Sequence, residues 1–108
     1  MKTLATDLDG TLYLDNVLIN GVQYAYKSLI LNNFKIFHTT NNSSQSTDVI
    51  ASKLSKLLSI DIDIESIVTP LVVLKEFLKN KNYFLYVYGS KEIKDFVSNI
   101  TNTVKDLD

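Results

Sequence analysis

The chain has 108 residues, 45% of them hydrophobic and 21% charged, with a net charge of −1 at pH 7. This composition fits one small soluble globular domain and offers no basic surface for nucleic acid or for an acidic membrane. Cysteine is absent, which excludes a disulfide framework, thiolate catalysis and Cys-ligated zinc, and suits a cytoplasmic setting. The N-terminus reaches Asp7 through Met-Lys-Thr-Leu-Ala-Thr, with no signal-peptide pattern. No apolar stretch approaches the length of a membrane span.

Thr3 to Leu8 reads as a short buried strand. Leu12 to Leu14 and Val17 to Ile19, separated by Asp15-Asn16, form a small hairpin with a polar turn. Asp15 is read as a turn residue. After Gly21, Val22, Ala25, Tyr26, Leu29 and Ile30 recur at helical spacing and predict a helix over 22–33. Phe34 to Thr39 is a second strand. It contains the only histidine, His38, read as structural. A polar run, Thr39 to Ser46, precedes a helix from about Gln45 to Leu58 with Ile50, Leu54, Leu57 and Leu58 on one face.

Ser59 to Ser66 alternates isoleucine with acids and reads as a surface-hugging link whose acids are solvated. Ile67-Val68 is a short extended segment. Thr69-Pro70 is a helix start, a capping hydroxyl before proline at the first helical position. That helix runs to about Lys79. Tyr83 to Tyr88 lacks a polar face and predicts a strand buried on both sides. Gly89-Ser90 leads into a last helix carrying Ile93, Phe96, Val97 and Ile100, after which Thr101 to Asp108 loses amphipathic order. The alternation of strands and helices predicts an α/β fold, Rossmann-like, a three-layer α/β/α arrangement on a parallel sheet.

The chemistry sits in two stretches. Asp7-Leu8-Asp9-Gly10-Thr11-Leu12 follows the first strand. Residues two apart in a strand point the same way, so Asp7 and Asp9 reach one spot at its carboxyl end, where open α/β sheets bind ligands. Two carboxylates there suit a hard cation such as Mg²⁺, or a nucleophile paired with a proton shuttle. Asp-x-Asp-Gly alone is also a common turn; the longer string after a strand is rarer. Thr39-Thr40-Asn41-Asn42-Ser43-Ser44 is either a polar loop with a cap, or a hydroxyl followed by free N–H groups at a helix N-terminus, an anion site. Next to the Asp7/Asp9 turn it reads as a phosphate cradle.

These stretches resemble the first and second motifs of the haloacid dehalogenase-like (HAD) hydrolases. Asn20-Gly21, Ile67-Val68-Thr69-Pro70 and Tyr86-Val87-Tyr88-Gly89-Ser90 are similar to the 4-nitrophenylphosphatase and NagD-like sugar-phosphatase branch. The resemblance implies a Mg²⁺-dependent phosphatase acting through an aspartyl-phosphate on a small phosphorylated metabolite. Asp7 would be the nucleophile and Asp9 the general acid and base. Mg²⁺ would be held by Asp7 and the backbone carbonyl of Asp9. Thr40, Asn41, Asn42 and Gly10 would bind the phosphoryl group, beside a flap over residues 10–20.

Members of that family continue to a third-motif lysine and fourth-motif acids, with a cap domain between. Lys91, Lys94 and Lys105 match no third-motif context. The resemblance therefore implies that residues 1–108 are the N-terminal portion of an incomplete HAD-like core, without cap or C-terminal half. The alternative is a truncated, inactive relative serving as an interaction module. An open sheet edge would invite self-association or a complementing chain. A response-regulator phosphoacceptor is disfavoured, since Tyr88-Gly89 stands where its aspartate would be.

Overall fold

The computed structural model describes residues 1–42 and 44–104, and the chain divides into two compact units, Met1–Thr69 and Pro70 onward. In the first unit β1 (Lys2–Asp7) is followed by a hairpin of β2 (Tyr13–Leu14) and β3 (Val17–Leu18), then α1 (Val22–Leu31) and β4 (Phe34–Thr39). α2 (Thr47–Leu58), a 3₁₀ turn (Ile64–Ser66) and β5 (Ile67–Val68) complete it. β1, β4 and β5 form one parallel sheet in the order β1-β4-β5. Both crossovers step in the same direction, and right-handed connections then lay α1 and α2 on the same face.

The side chains agree with that placement. Ile36 and His38 of β4 are buried on the covered face, together with Leu54 and Leu58 of α2 and Tyr26 of α1. Thr3, Ala5 and Lys35, on the alternate face, are exposed. The unit is thus an α/β parallel sheet with one helical layer among the described residues, consistent with an incomplete core. Its hydrophobic cluster runs from Leu8 and Leu12 through Ile50 and Leu54 to Ile62 and Ile67.

Local chemistry explains the elements. Asp15 and Asn16 both adopt positive φ (50° and 66°), as a two-residue hairpin turn requires and as Asp and Asn tolerate. Gly21, at φ 88°, sits at the N-cap of α1, where a side chain would be strained. α1 buries Tyr26 and half-buries Val22 and Leu29, while Ala25 and Ile30 of its stripe face solvent. The link at 59–66 buries Ile62 and leaves Asp61, Asp63 and Glu65 exposed. Asp63 caps the 3₁₀ turn by accepting from the Glu65 N–H.

The second unit begins with α3 (Pro70–Leu78), then β6 (Phe84–Tyr86), α4 (Lys91–Ser98) and β7 (Asn102–Val104). β6 and β7 pair in parallel, Leu85 opposite Thr103. Here the structure differs from the reading of Tyr83–Tyr88 as a strand of the main sheet buried on both sides. The place beside β4 is taken by Ile67-Val68, and Phe84, Tyr86 and Tyr88 are 68%, 42% and 94% exposed. The strand over 102–104 was hidden because pairing with β6, rather than an amphipathic pattern, creates it. Ser90 caps α4 by accepting from the Ile93 N–H, and Val97 is buried. Lys91 and Lys94 are exposed on α4. Lys105 and Ser43 lie outside the described residues.

His38, 1% exposed, links three elements. The Ser66 hydroxyl donates to the Asp63 carbonyl at 2.6 Å, so it accepts from His38 Nδ1–H at 2.9 Å. Nε2 is then unprotonated and accepts from the Tyr26 hydroxyl at 2.9 Å. Burial holds the imidazole below its ordinary value, opposed by a hydrogen bond with the Ser66 backbone. The unfolded chain therefore binds a proton that the folded chain refuses, and stability falls as pH drops through about 6.5. Wild type should lose more thermal stability between pH 7.5 and 5.5 than His38→Gln; equal losses in melting curves would refute this. Tyr26→Phe should cost about 1–3 kcal/mol at pH 7.5 by leaving a buried acceptor unpaired. Leu54→Ala, at a fully buried position, should cost about 2–5 kcal/mol in denaturant titrations.

Candidate active site

β1 and β4 pair in register from Lys2 opposite Phe34 to Asp7 opposite Thr39. β4 pairs with β5 so that Thr39 lies opposite Val68. Asp7, Thr39 and Val68 therefore mark the carboxyl ends of three adjacent parallel strands. The Thr39 hydroxyl donates to the Thr6 carbonyl at 3.1 Å, and the Thr40 N–H to the Val68 carbonyl at 3.1 Å. These bonds lock the polar loop onto the strand ends.

Beyond Asp7 the chain turns back immediately. Leu8 is buried at 1% exposure, and its carbonyl accepts from the N–H groups of Thr11 and Leu12. Gly10, at φ 79°, allows that turn and donates its N–H to the Tyr13 carbonyl at 2.8 Å. Leu8 inward leaves its neighbours Asp7 and Asp9 outward, both exposed. The Thr11 hydroxyl approaches the Asp7 carboxylate at 3.4 Å. The phenol of Tyr13 is sensitive to its surroundings here. Burial first, then the charge of Asp9 and a hydrogen bond to it, then the charge of Asp7, raise its phenol above the ordinary value.

Asp9, Thr40 and Asn42 line one small cavity of about 150 Å³, together with Tyr13 and Lys53. The Thr40 hydroxyl oxygen accepts from the Asn42 N–H at 3.0 Å, which leaves its proton to point elsewhere. Asn42 accepts from the Ser44 N–H through its side-chain oxygen at 2.8 Å, shaping the loop. Asn41 is exposed in the same loop, while Asp7, Asn41 and Gly10 are outside the lining of this cavity.

α2 starts at Thr47, and its first turn is served by its own acid. Asp48 is held below the usual carboxylate range by hydrogen bonds with Ser46 and with the backbone N–H groups of Asp48 and Val49. A carboxylate at a helix N-terminus takes the place a ligand anion would occupy. Ser44 and Gln45, just before α2, line the cavity with Asp9, Thr40 and Asn42.

Tyr13 and Lys53 escaped the sequence reading. Tyr13 reads as a hydrophobic hairpin residue, and it is indeed 4% exposed. Lys53 reads as a polar helix position. Its signal is the spacing: it lies between Ile50 and Leu54, at the border of the buried stripe. Its ammonium rests 4.1 Å from the centroid of the Tyr13 ring.

The donor set fits a hard divalent cation. The exposed Asp7 carboxylate and the backbone carbonyl of Asp9 are oxygen donors of the kind a Mg²⁺ site uses, with water and ligand oxygens supplying the rest. Among the described residues no group of three or more histidines or acids could hold a metal ion.

The family model of the haloacid dehalogenase-like hydrolases matches residues 4–101. The chain belongs to this family. An acid sugar phosphatase of Staphylococcus haemolyticus (strain JCSC1435) is 31% identical over 109 residues, covering 97% of this chain and 40% of that protein. The chain thus spans about 40% of the length of this curated relative. The 4-nitrophenylphosphatase of Thermotoga maritima superposes with a TM-score of 0.75 at 23% identity, over 93% of this chain and 39% of that one. A glycerol phosphate phosphatase of Mycobacterium tuberculosis, solved in complex with magnesium, gives 0.69 at 24% identity, over 96% and 32%. At these identities the structures speak for the fold. This HAD chain is by family a hydrolase, and its relatives fall in the sugar-phosphatase and 4-nitrophenylphosphatase branch. No helix among its described residues is long and apolar enough to cross a membrane.

The turn at Gly10 offers a check on the site's frame. Gly10→Ala meets no atom within 4 Å but must hold φ near +79°. It should destabilise the fold by about 1–2 kcal/mol through strain alone, read as a shift in the denaturation midpoint.

Proposed function

We propose that the chain supplies the nucleophile half of a Mg²⁺-dependent phosphatase acting on a small phosphorylated metabolite. The observation that carries this reading is the meeting of Asp9, Thr40 and Asn42 at one cavity, on the strand ends where Asp7 lies opposite Thr39. The sugar-phosphatase relative and the magnesium-bound fold neighbour support the substrate class and the cation.

In this reading a carboxylate oxygen of Asp7 attacks phosphorus and the ester P–O bond breaks. Asp9 gives its proton to the departing oxygen. Asp9 then takes a proton from water, whose oxygen attacks the aspartyl-phosphate, releasing inorganic phosphate and restoring Asp7. The Thr40 hydroxyl donates to a phosphoryl oxygen, while Asn41, Asn42 and Gly10 shape the backbone around it. Asp7 and the Asp9 carbonyl would hold Mg²⁺, which neutralises phosphoryl charge and shields the nucleophile's own. Phosphoryl transfer asks mainly for such positioning and charge.

Residues 1–69 then form the N-terminal portion of the catalytic core. A second reading, an inactive interaction module, draws on the described residues holding no group of three or more histidines or acids that could hold a metal ion.

Hydrolysis of 4-nitrophenyl phosphate decides between them. Turnover should require Mg²⁺, stop with EDTA and fall to background in Asp7→Asn. A folded wild-type chain that turns over nothing would favour the second reading.

A further inference from the structure

The residues so far assigned to phosphate leave an electrostatic deficit. Asp7 and Asp9 bring negative charge to the strand ends, and a phosphate monoester brings more. The loop at 40–42 offers only neutral donors. Lys53 is the cation lining the cavity shared by Asp9 and Thr40.

Its placement is fixed from beneath. Lys53 stands on α2 between Ile50 and Leu54, 4% and 0% exposed, so the core sets the position of its backbone. The side chain is half-buried and crosses to the hairpin, where its ammonium sits 4.1 Å from the Tyr13 ring centroid. A lysine that merely covered Tyr13 with its stem would carry its charge out to water. Here the ammonium itself rests on the ring, whose face attracts a cation without neutralising it. Among the described residues Lys53 forms no ion pair. The charge stays whole, on a side chain that shares one cavity lining with Thr40 and Asp9.

We propose that Lys53 is a ligand of the substrate's phosphate group, its ammonium held by Tyr13 at the cavity and donating to a non-bridging phosphoryl oxygen. This deepens the phosphatase reading and rests on it. A lysine suits the task as a compact point charge with three rotatable donors. It would hold inorganic phosphate, the product, as well as the ester.

The test is titration of the chain with inorganic phosphate in the presence of Mg²⁺, followed calorimetrically for wild type, Lys53→Met and Lys53→Arg. Circular dichroism and melting curves establish that each variant is folded. The dissociation constant should rise about tenfold in Lys53→Met, as for the loss of one charge-assisted hydrogen bond. It should return to within about threefold of wild type in Lys53→Arg. Added potassium chloride should weaken phosphate binding more in wild type than in Lys53→Met. Unchanged affinity in a folded Lys53→Met protein overturns the proposal, as does a folded Lys53→Arg protein that fails to recover, or a wild type that binds no phosphate. The two readings fail separately. Lys53-dependent phosphate binding in a chain that hydrolyses nothing keeps the anion site and removes the phosphatase. Asp7-dependent hydrolysis with phosphate affinity indifferent to Lys53 does the reverse.

Discussion

The site depends on the parallel register of β1 with β4. Because Lys2 pairs with Phe34, the strands end together, Asp7 against Thr39. A slip of one residue would turn Asp7 to the helix-covered face and send Leu4 and Thr6 outward. The register is held from both sides of the pairing. Ile36 and His38 must face α1 and α2, and the Thr39 hydroxyl reaches back to the Thr6 carbonyl. Everything placed afterwards, from the turn at Gly10 to the loop at Thr40, inherits its position from this alignment.

The polar interior serves the same end. His38 joins α1 through Tyr26 and the link before β5 through Ser66, so one buried ring fixes the spacing of three elements. Buried polar groups are costly unless satisfied, and among the described residues no buried side-chain nitrogen or oxygen lacks a partner. Ser55 plays a similar part, donating to the Ala51 carbonyl and accepting from the Ile62 N–H, which ties the link to α2. The alternating Ile and acid residues of that link are therefore a strap. Ile62 anchors in the core while Asp61 and Asp63 stay in water.

Much of this was legible in the residues themselves. The hairpin at Asp15-Asn16, the helices over Val22–Leu31 and Thr47–Leu58, and the pairing of strand and turn around Asp7 follow from period and turn chemistry. What escaped was tertiary. Aromatic density at Tyr83–Tyr88 suggested burial on both faces, yet Phe84 and Tyr88 face solvent, because a strand's neighbours are set by tertiary pairing that a local pattern does not carry. Ile67-Val68 pairs with β4 through two residues. The cation at Lys53 was hidden because nothing in a helix period says which polar residue at the stripe's edge will meet a tyrosine from a distant hairpin. Asp48 shows the converse case. Its position in the first turn of α2 was visible, but its occupation of the helix end became evident only from the bonds it makes.

Among the described residues the order β1-β4-β5 leaves β1 at the rim of its sheet. Its outer backbone groups form a template with a direction. A strand that docks there in parallel runs the same way as β1, toward the end that carries Asp7. Its carboxyl end then lies toward the Asp7 end of the sheet, whichever polypeptide it came from. The rim is thus an address as well as a hazard, since it sets the direction in which a docked strand runs.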